Sequence, residues 1–120
     1  MGCGCSSTDN AARILFTCSG CCSEGEASDK IGRILRQSGY ARCGNSCLAG
    51  IGAGYPKFLN AAKTAVETVV IDGCGMRCAS TLLKKAQIEF KHYVLTDLGF
   101  EAGENMDEFV DSFCRTMLKQ

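Results

Sequence analysis

The run Glu67-Thr-Val-Val-Ile-Asp72 constrains the fold more than any other stretch of the chain. A β-branched segment without polar alternation suits a strand buried on both faces, the situation of a strand inside a parallel sheet. Its neighbours agree with that setting. Arg13-Ile-Leu-Phe-Thr17 is a second short apolar run, and it stops at Cys18-Ser-Gly-Cys-Cys22, which reads as a strand entering a turn. Ser23 with Glu26 fits a capping box for a following helix whose apolar face is Ala27, Ile31, Ile34 and Leu35, closed by Gly39.

The pattern then repeats. Residues 41–48 form a weaker strand candidate or an irregular approach to Gly50-Ile-Gly-Ala-Gly54, and Pro56 suits the first turn of a helix with Phe58, Leu59, Ala62, Ala65 and Val66 on its apolar side. After Asp72, the positions Cys78, Leu82, Leu83 and Ala86 recur at helical spacing, and residues 90–96 make a further strand running into Asp97-Leu-Gly99. Asn105 and Glu108 offer a cap for a C-terminal helix over about 105–119, with Phe109, Val110, Phe113 and Met117 facing inward.

Strand and helix alternating in this way predict an α/β fold: a small open parallel sheet of about four strands with helices on both faces, a Rossmann-like or flavodoxin-like three-layer sandwich. Residues 12–120 read as one domain. Residues 1–11 read as a flexible, cysteine-containing tail, being small, polar and glycine-rich.

Ten cysteines in 120 residues are the compositional anomaly. The chain carries 13 Lys and Arg against 13 Asp and Glu, so charge points to neither nucleic acid nor an anionic membrane. The start, Met1-Gly-Cys-Gly-Cys-Ser6, lacks the basic and apolar regions of a secretory signal, and no apolar stretch approaches membrane-spanning length. A reducing, cytoplasmic setting is therefore expected, with free thiols or metal thiolates rather than a disulfide framework.

A parallel sheet delivers the end of every strand to one edge, where ligands of open α/β domains sit. Cys18, Cys21 and Cys22 follow the first strand, Cys47 the weaker second, and Cys74 the strand ending at Asp72, with Cys78 one helical turn later. Cysteines near helix starts are favoured as thiolates by the free N–H groups and the dipole. If a helix begins at Cys74, both Cys74 and Cys78 face one point. A zinc ribbon sets its two knuckles about 15–20 residues apart, whereas 52 residues lie between Cys21 and Cys74. Spacing thus leaves a fold-assembled metal site and a thiol redox site both open.

Four motifs in order, Cys18-Ser-Gly-Cys21, Cys47-Leu-Ala-Gly-Ile-Gly-Ala-Gly54, Asp72-Gly-Cys74 with Cys78, and Leu95-Thr-Asp-Leu-Gly99, resemble the DGC-domain family of zinc-binding proteins. The likeness runs from about residue 14 to residue 99. It implies Cys18, Cys21, Cys74 and Cys78 as the metal ligands, Cys47 as a fifth candidate, and zinc as the metal. An iron-sulfur cluster suits the same thiolates, and a redox enzyme would use Cys18 with Cys21 as resolving partner. The resemblance implies no reaction, so the expectation leans away from an enzyme. Cys22, Cys43, Cys114 and the Cys3/Cys5 pair depart from the family pattern; Cys22, Cys3 and Cys5 are alternative ligands, and Cys43 and Cys114 read as core or surface residues.

The remaining features are weaker. Gly50-Ile-Gly-Ala-Gly54 lacks the third glycine position of a dinucleotide loop, and close packing explains it better. Asp72 and Asp97 stand at the correct edge to hydrogen-bond ligands from behind, or to serve as turn and capping residues. His92, the only histidine, is expected near the opposite edge and is not read as a ligand. The first six residues also match a dual-acylation tail, but within a mainly prokaryotic family a Cys-x-Cys metal or redox tail is the preferred reading, with no membrane partner.

Overall fold

The computed structural model describes residues 13–101, 103 and 105–119; the Cys3/Cys5 tail lies outside the described residues. The elements in order are β1 (Arg13–Thr17), α1 (Ser23–Gln37), α2 (Leu48–Ala53), α3 (Pro56–Thr64), β2 (Glu67–Asp72), α4 (Cys78–Lys85), β3 (Lys91–Val94), a 3-10 turn (Leu95–Leu98) and α5 (Met106–Leu118).

The sheet has three strands in the order β1-β2-β3, all parallel. Central β2 pairs with β1 from Arg13↔Glu67 to Thr17↔Ile71 and with β3 from Val69↔Lys91 to Asp72↔Val94. Its position between two neighbours explains the uninterrupted apolar run: Val69, Val70 and Ile71 are all fully buried. Strand residues alternate between faces, and two core clusters follow that alternation. Leu15, Val69 and Ile71 pack with α1 and α5, while Ile14, Phe16 and Val70 pack with α2, α3 and α4. Helices therefore cover both faces.

The expected strand over residues 41–48 is not a strand among the described residues, and the sheet is smaller than the four expected. That segment passes the outer edge of β1, where the Arg42 N–H donates to the Arg13 carbonyl at 3.0 Å. Asn45 then turns to φ 65°, a left-handed conformation that ends an extended run. Arg36 Nη2 donates to the Leu15 carbonyl at 2.8 Å farther along the same edge. One main-chain bond and one guanidinium thus take the place of a pairing strand.

The glycine-rich stretch is not a loop before a helix but helix α2 itself, capped by Gly54 at φ 78°. Gly50 lies beneath the Phe58 ring, where a Cβ would collide with it, so glycine here lets α2 and α3 approach. Pro56 opens α3 at its first position. Val66 lies past the end of that helix and is 84% exposed, so it is not part of the core. The last strand ends at Val94, two residues earlier than the sequence pattern suggests, because Leu95–Leu98 turn into the 3-10 segment.

Candidate metal centre

The C-terminal edge of the sheet carries the loop after β1, the loop after β2 and the 3-10 turn after β3. Cys18 continues the ladder, its N–H donating to the Ile71 carbonyl at 3.1 Å. Gly73 returns the contact: its N–H donates to Cys18 Sγ at 3.1 Å. The central glycine of Asp72-Gly-Cys74 therefore holds the first cysteine of the β1 loop. A backbone donor aimed at sulfur favours the thiolate. Burial is the larger influence, however, and it pushes the Cys18 thiol above its ordinary pKa, assisted by the charges of Asp72 and Cys74; the Gly73 N–H and the Ser28 hydroxyl act in the opposite direction. Ser28 Oγ also stands 3.1 Å from the Ile71 carbonyl, so its single proton is shared between that oxygen and the sulfur.

Gly73 has no room for a side chain, since a Cβ would run into the Glu24 carbonyl in the first turn of α1. The Gly73 carbonyl in turn accepts from the Thr96 N–H at 3.2 Å. One glycine thus touches the loops of all three strands.

Asp72 is fully buried. Its carboxylate accepts from Ala79 N–H at 2.8 Å and Ser80 N–H at 3.2 Å, the orphan donors at the start of α4, and His92 Nε2 lies 2.7 Å from Oδ2. The α4 N-cap residue itself, Arg77, sits at φ 56° and makes no side-chain capping bond. The strand-end aspartate supplies that cap from seven residues upstream.

Three expectations are corrected here. Helix α4 begins at Cys78, not Cys74; Cys74 sits in a turn closed by its carbonyl accepting from Arg77 N–H at 3.1 Å. His92 is not remote from the thiol edge: it pairs opposite Val70 in β3, and its ring reaches the end of β2. Ser23 does not cap α1; Cys22 holds the N-cap position without a side-chain bond. Asp97, the other acidic candidate, is exposed and forms an ion pair with Arg77 at 3.4 Å, tying the 3-10 turn to the β2 loop.

The free thiols divide by exposure. Cys18 and Cys74 are half-buried, while Cys21, Cys22, Cys47 and Cys78 are exposed. Cys47 occupies the N-cap position of α2 without a side-chain capping bond, and α2 packs against α4. Cys114 belongs to the core, 3% exposed between α5 and α1, with its pKa pushed up to about 11 by burial and the nearby Asp111. Cys43 stands apart from these free thiols: it is disulfide-bonded and half-buried, its sulfur 3.6 Å from the Arg36 carbonyl. By chemistry the edge thiols suit a soft or borderline metal. By geometry they are not gathered: among the described residues no three His, Cys, Asp or Glu side chains stand where they could hold a metal ion. No helix among the described residues is long and apolar enough to cross a membrane.

The chain is similar to the anaerobic and virulence modulator AnvM of Pseudomonas aeruginosa, with 24% identity over 96 residues that cover 79% of this chain and 72% of that protein. No solved structure matches. The DGC-domain model matches residues 14–119, a span holding Cys18, Asp72-Gly-Cys74 and Cys78, and the chain belongs to the DGC-domain family.

Proposed function

We propose that the protein is a thiolate metal-binding module rather than an enzyme, with zinc as its metal and Cys18, Cys21, Cys74 and Cys78 as the ligands, Cys47 standing as a fifth. The observation that carries the reading is the Gly73 N–H on the Cys18 sulfur. It joins two thiol-bearing loops 55 residues apart in sequence, and N–H donors to sulfur belong to the supporting shell of metal thiolates. The reading places the protein in a reducing compartment, where the thiols stay available. A modulating role, the one stated in the name of the Pseudomonas relative, fits a binding module better than a catalyst.

Bound zinc would supply a crosslink between strand-end loops, or a Lewis acid if one position stayed open. The chain's own residues supply the rest: Gly73 and Ser28 donors for Cys18, and a β2 loop anchored by Asp72. A redox role through a low-pKa Cys18 has less support, since burial raises that thiol while an attacking thiol needs the thiolate. A metal removes this obstacle by displacing the proton.

Elemental analysis with an absorption spectrum tests the reading, on protein purified anaerobically without a metal-binding tag. Zinc with a featureless visible spectrum is the expected result. Iron with charge-transfer bands would turn the site into a cluster, and metal-free protein with all edge thiols titratable would move the function to thiol redox chemistry. Cys18→Ser and Cys74→Ser should each lose the metal; retention of the full metal content by either would sink the ligand assignment.

A further inference from the structure

The two outer edges of the sheet are finished differently. Along β1, the segment after α1 and the Arg36 guanidinium occupy main-chain groups. Along β3, the other outer strand, no main-chain partner except β2 reaches the chain among the described residues. Beside that open edge lies a cleft of about 290 Å³ between β3, the 3-10 turn and α5, lined by Tyr93, Leu98, Phe109, Phe113 and Met117 among others. Tyr93 and Phe113 meet edge to face with ring centroids 6.1 Å apart, and Leu98 is 51% exposed. Two residues before Tyr93, and so on the same face of the strand, Lys91 is exposed. Its ammonium stands 5.7 Å from the Tyr93 ring, and no carboxylate pairs with it among the described residues.

We propose that the β3 edge and its cleft bind an extended segment of a partner protein, added to the sheet as a further strand, with an acidic and an apolar side chain two residues apart. Main-chain bonds to β3 supply the affinity, and alternate side chains supply the selectivity. The apolar side chain lies opposite Tyr93 and enters the cleft, while the acidic one lies opposite Lys91. A second copy of this chain suits the edge less well, because the strand Lys91-His-Tyr-Val94 brings no carboxylate to the Lys91 of its counterpart. A short edge strand bearing a lysine discourages indiscriminate pairing, so the segment that binds is one that answers both features. No cysteine lines the cleft.

Fluorescence anisotropy tests this with a short labelled peptide, Thr-Val-Glu-Thr-Leu-Thr-Val capped at both ends, titrated with the full chain. The expected result is saturable binding that weakens about fivefold when Lys replaces Glu in the peptide. Lys91→Glu should invert that preference. Methylating one alternate set of peptide amides should abolish binding and methylating the other should not, since only one set faces β3. Amide-exchange protection gained on binding should fall on Lys91–Val94. The peptide pair on the unmodified chain decides the matter even if Lys91→Glu misfolds. No binding of either peptide, affinity indifferent to the peptide charge, or binding that tolerates methylation of both sets would overturn the proposal. A dimer of the unliganded chain that protects the β3 amides in sedimentation-matched exchange experiments would assign the edge to a second copy, and would overturn it as well.

Discussion

The loop after β1 and the loop after β2 invite comparison. Each leaves a parallel strand, carries cysteines and enters a helix. The β2 loop is fastened from inside: Asp72 binds the first N–H groups of α4, and Gly73 wedges against α1. The β1 loop is fastened from outside, through the Cys18 sulfur, and its helix starts at a residue that makes no capping bond. Aspartate and glycine in the motif build the platform from which the half-buried Cys74 follows.

Breaking the stronger fastening should have the largest effect. Asp72→Ala strips two helix N–H groups and His92 of their partner inside the protein, at a cost of roughly 3–5 kcal/mol, read by urea unfolding. A loss below about 1 kcal/mol would mean that the β2 loop is no better anchored than its neighbour. Alkali acts next, through the buried thiols. Their folded pKa values are raised, so the native state holds protons that the unfolded chain releases, and stability falls as pH climbs through that window. For Cys114 the window runs from the ordinary 9.0 to about 11, on the order of 2–3 kcal/mol when complete. In metal-free protein Cys18, at the junction of the two loops, adds to the loss in the same direction. Unfolding midpoints at rising pH should therefore decline less steeply in Cys114→Ala and in Cys18→Ala than in the parent chain.

The glycines sharpen the contrast further. Gly73→Ala forces a Cβ into the Glu24 backbone and should cost about 1–3 kcal/mol. Gly20→Ala in the β1 loop meets nothing within 4 Å and should leave stability within about 0.5 kcal/mol of the parent. Equal losses would show that the two loops are packed alike. One substitution should instead bring a small gain: Cys22→Asp provides α1 with the cap it lacks and should add about 0.5–1 kcal/mol, visible as a higher denaturation midpoint. The β2 loop has no comparable vacancy to improve.

Much of this contrast was legible in residues and some was hidden by distance. The β2 run announced a central strand because burial on both faces demands uniform apolarity, and α1 and α5 showed themselves by periodic Ile31, Leu35, Val110 and Met117, all buried, although Ile34 of the expected α1 face is 39% exposed. The strand expected at 41–48 failed on Asn45, whose left-handed turn no apolar count reveals. Helix α2 was masked by its glycines, of which Gly50 makes room for Phe58, a partner outside the helix. The thiol edge itself was visible, because strand ends share a side. The true start of α4 and the contact of His92 with Asp72 were not, since both depend on one carboxylate reaching across gaps of seven and twenty residues. A buried aspartate directly after a strand was the available signal, and its targets emerge only once β2 and β3 lie side by side.

That long-reach cap has a kinetic consequence. Helix α4 spans eight residues, too short to persist alone in water, and its stop against fraying is a side chain belonging to the sheet. It should therefore form late, in the same cooperative event that seats β2, rather than as an early local nucleus. During synthesis and refolding, Cys78 has no fixed place until that event, so a nascent chain presents scattered thiols to scavenging metals and oxidants, and only the finished sheet holds Cys78 at the start of α4.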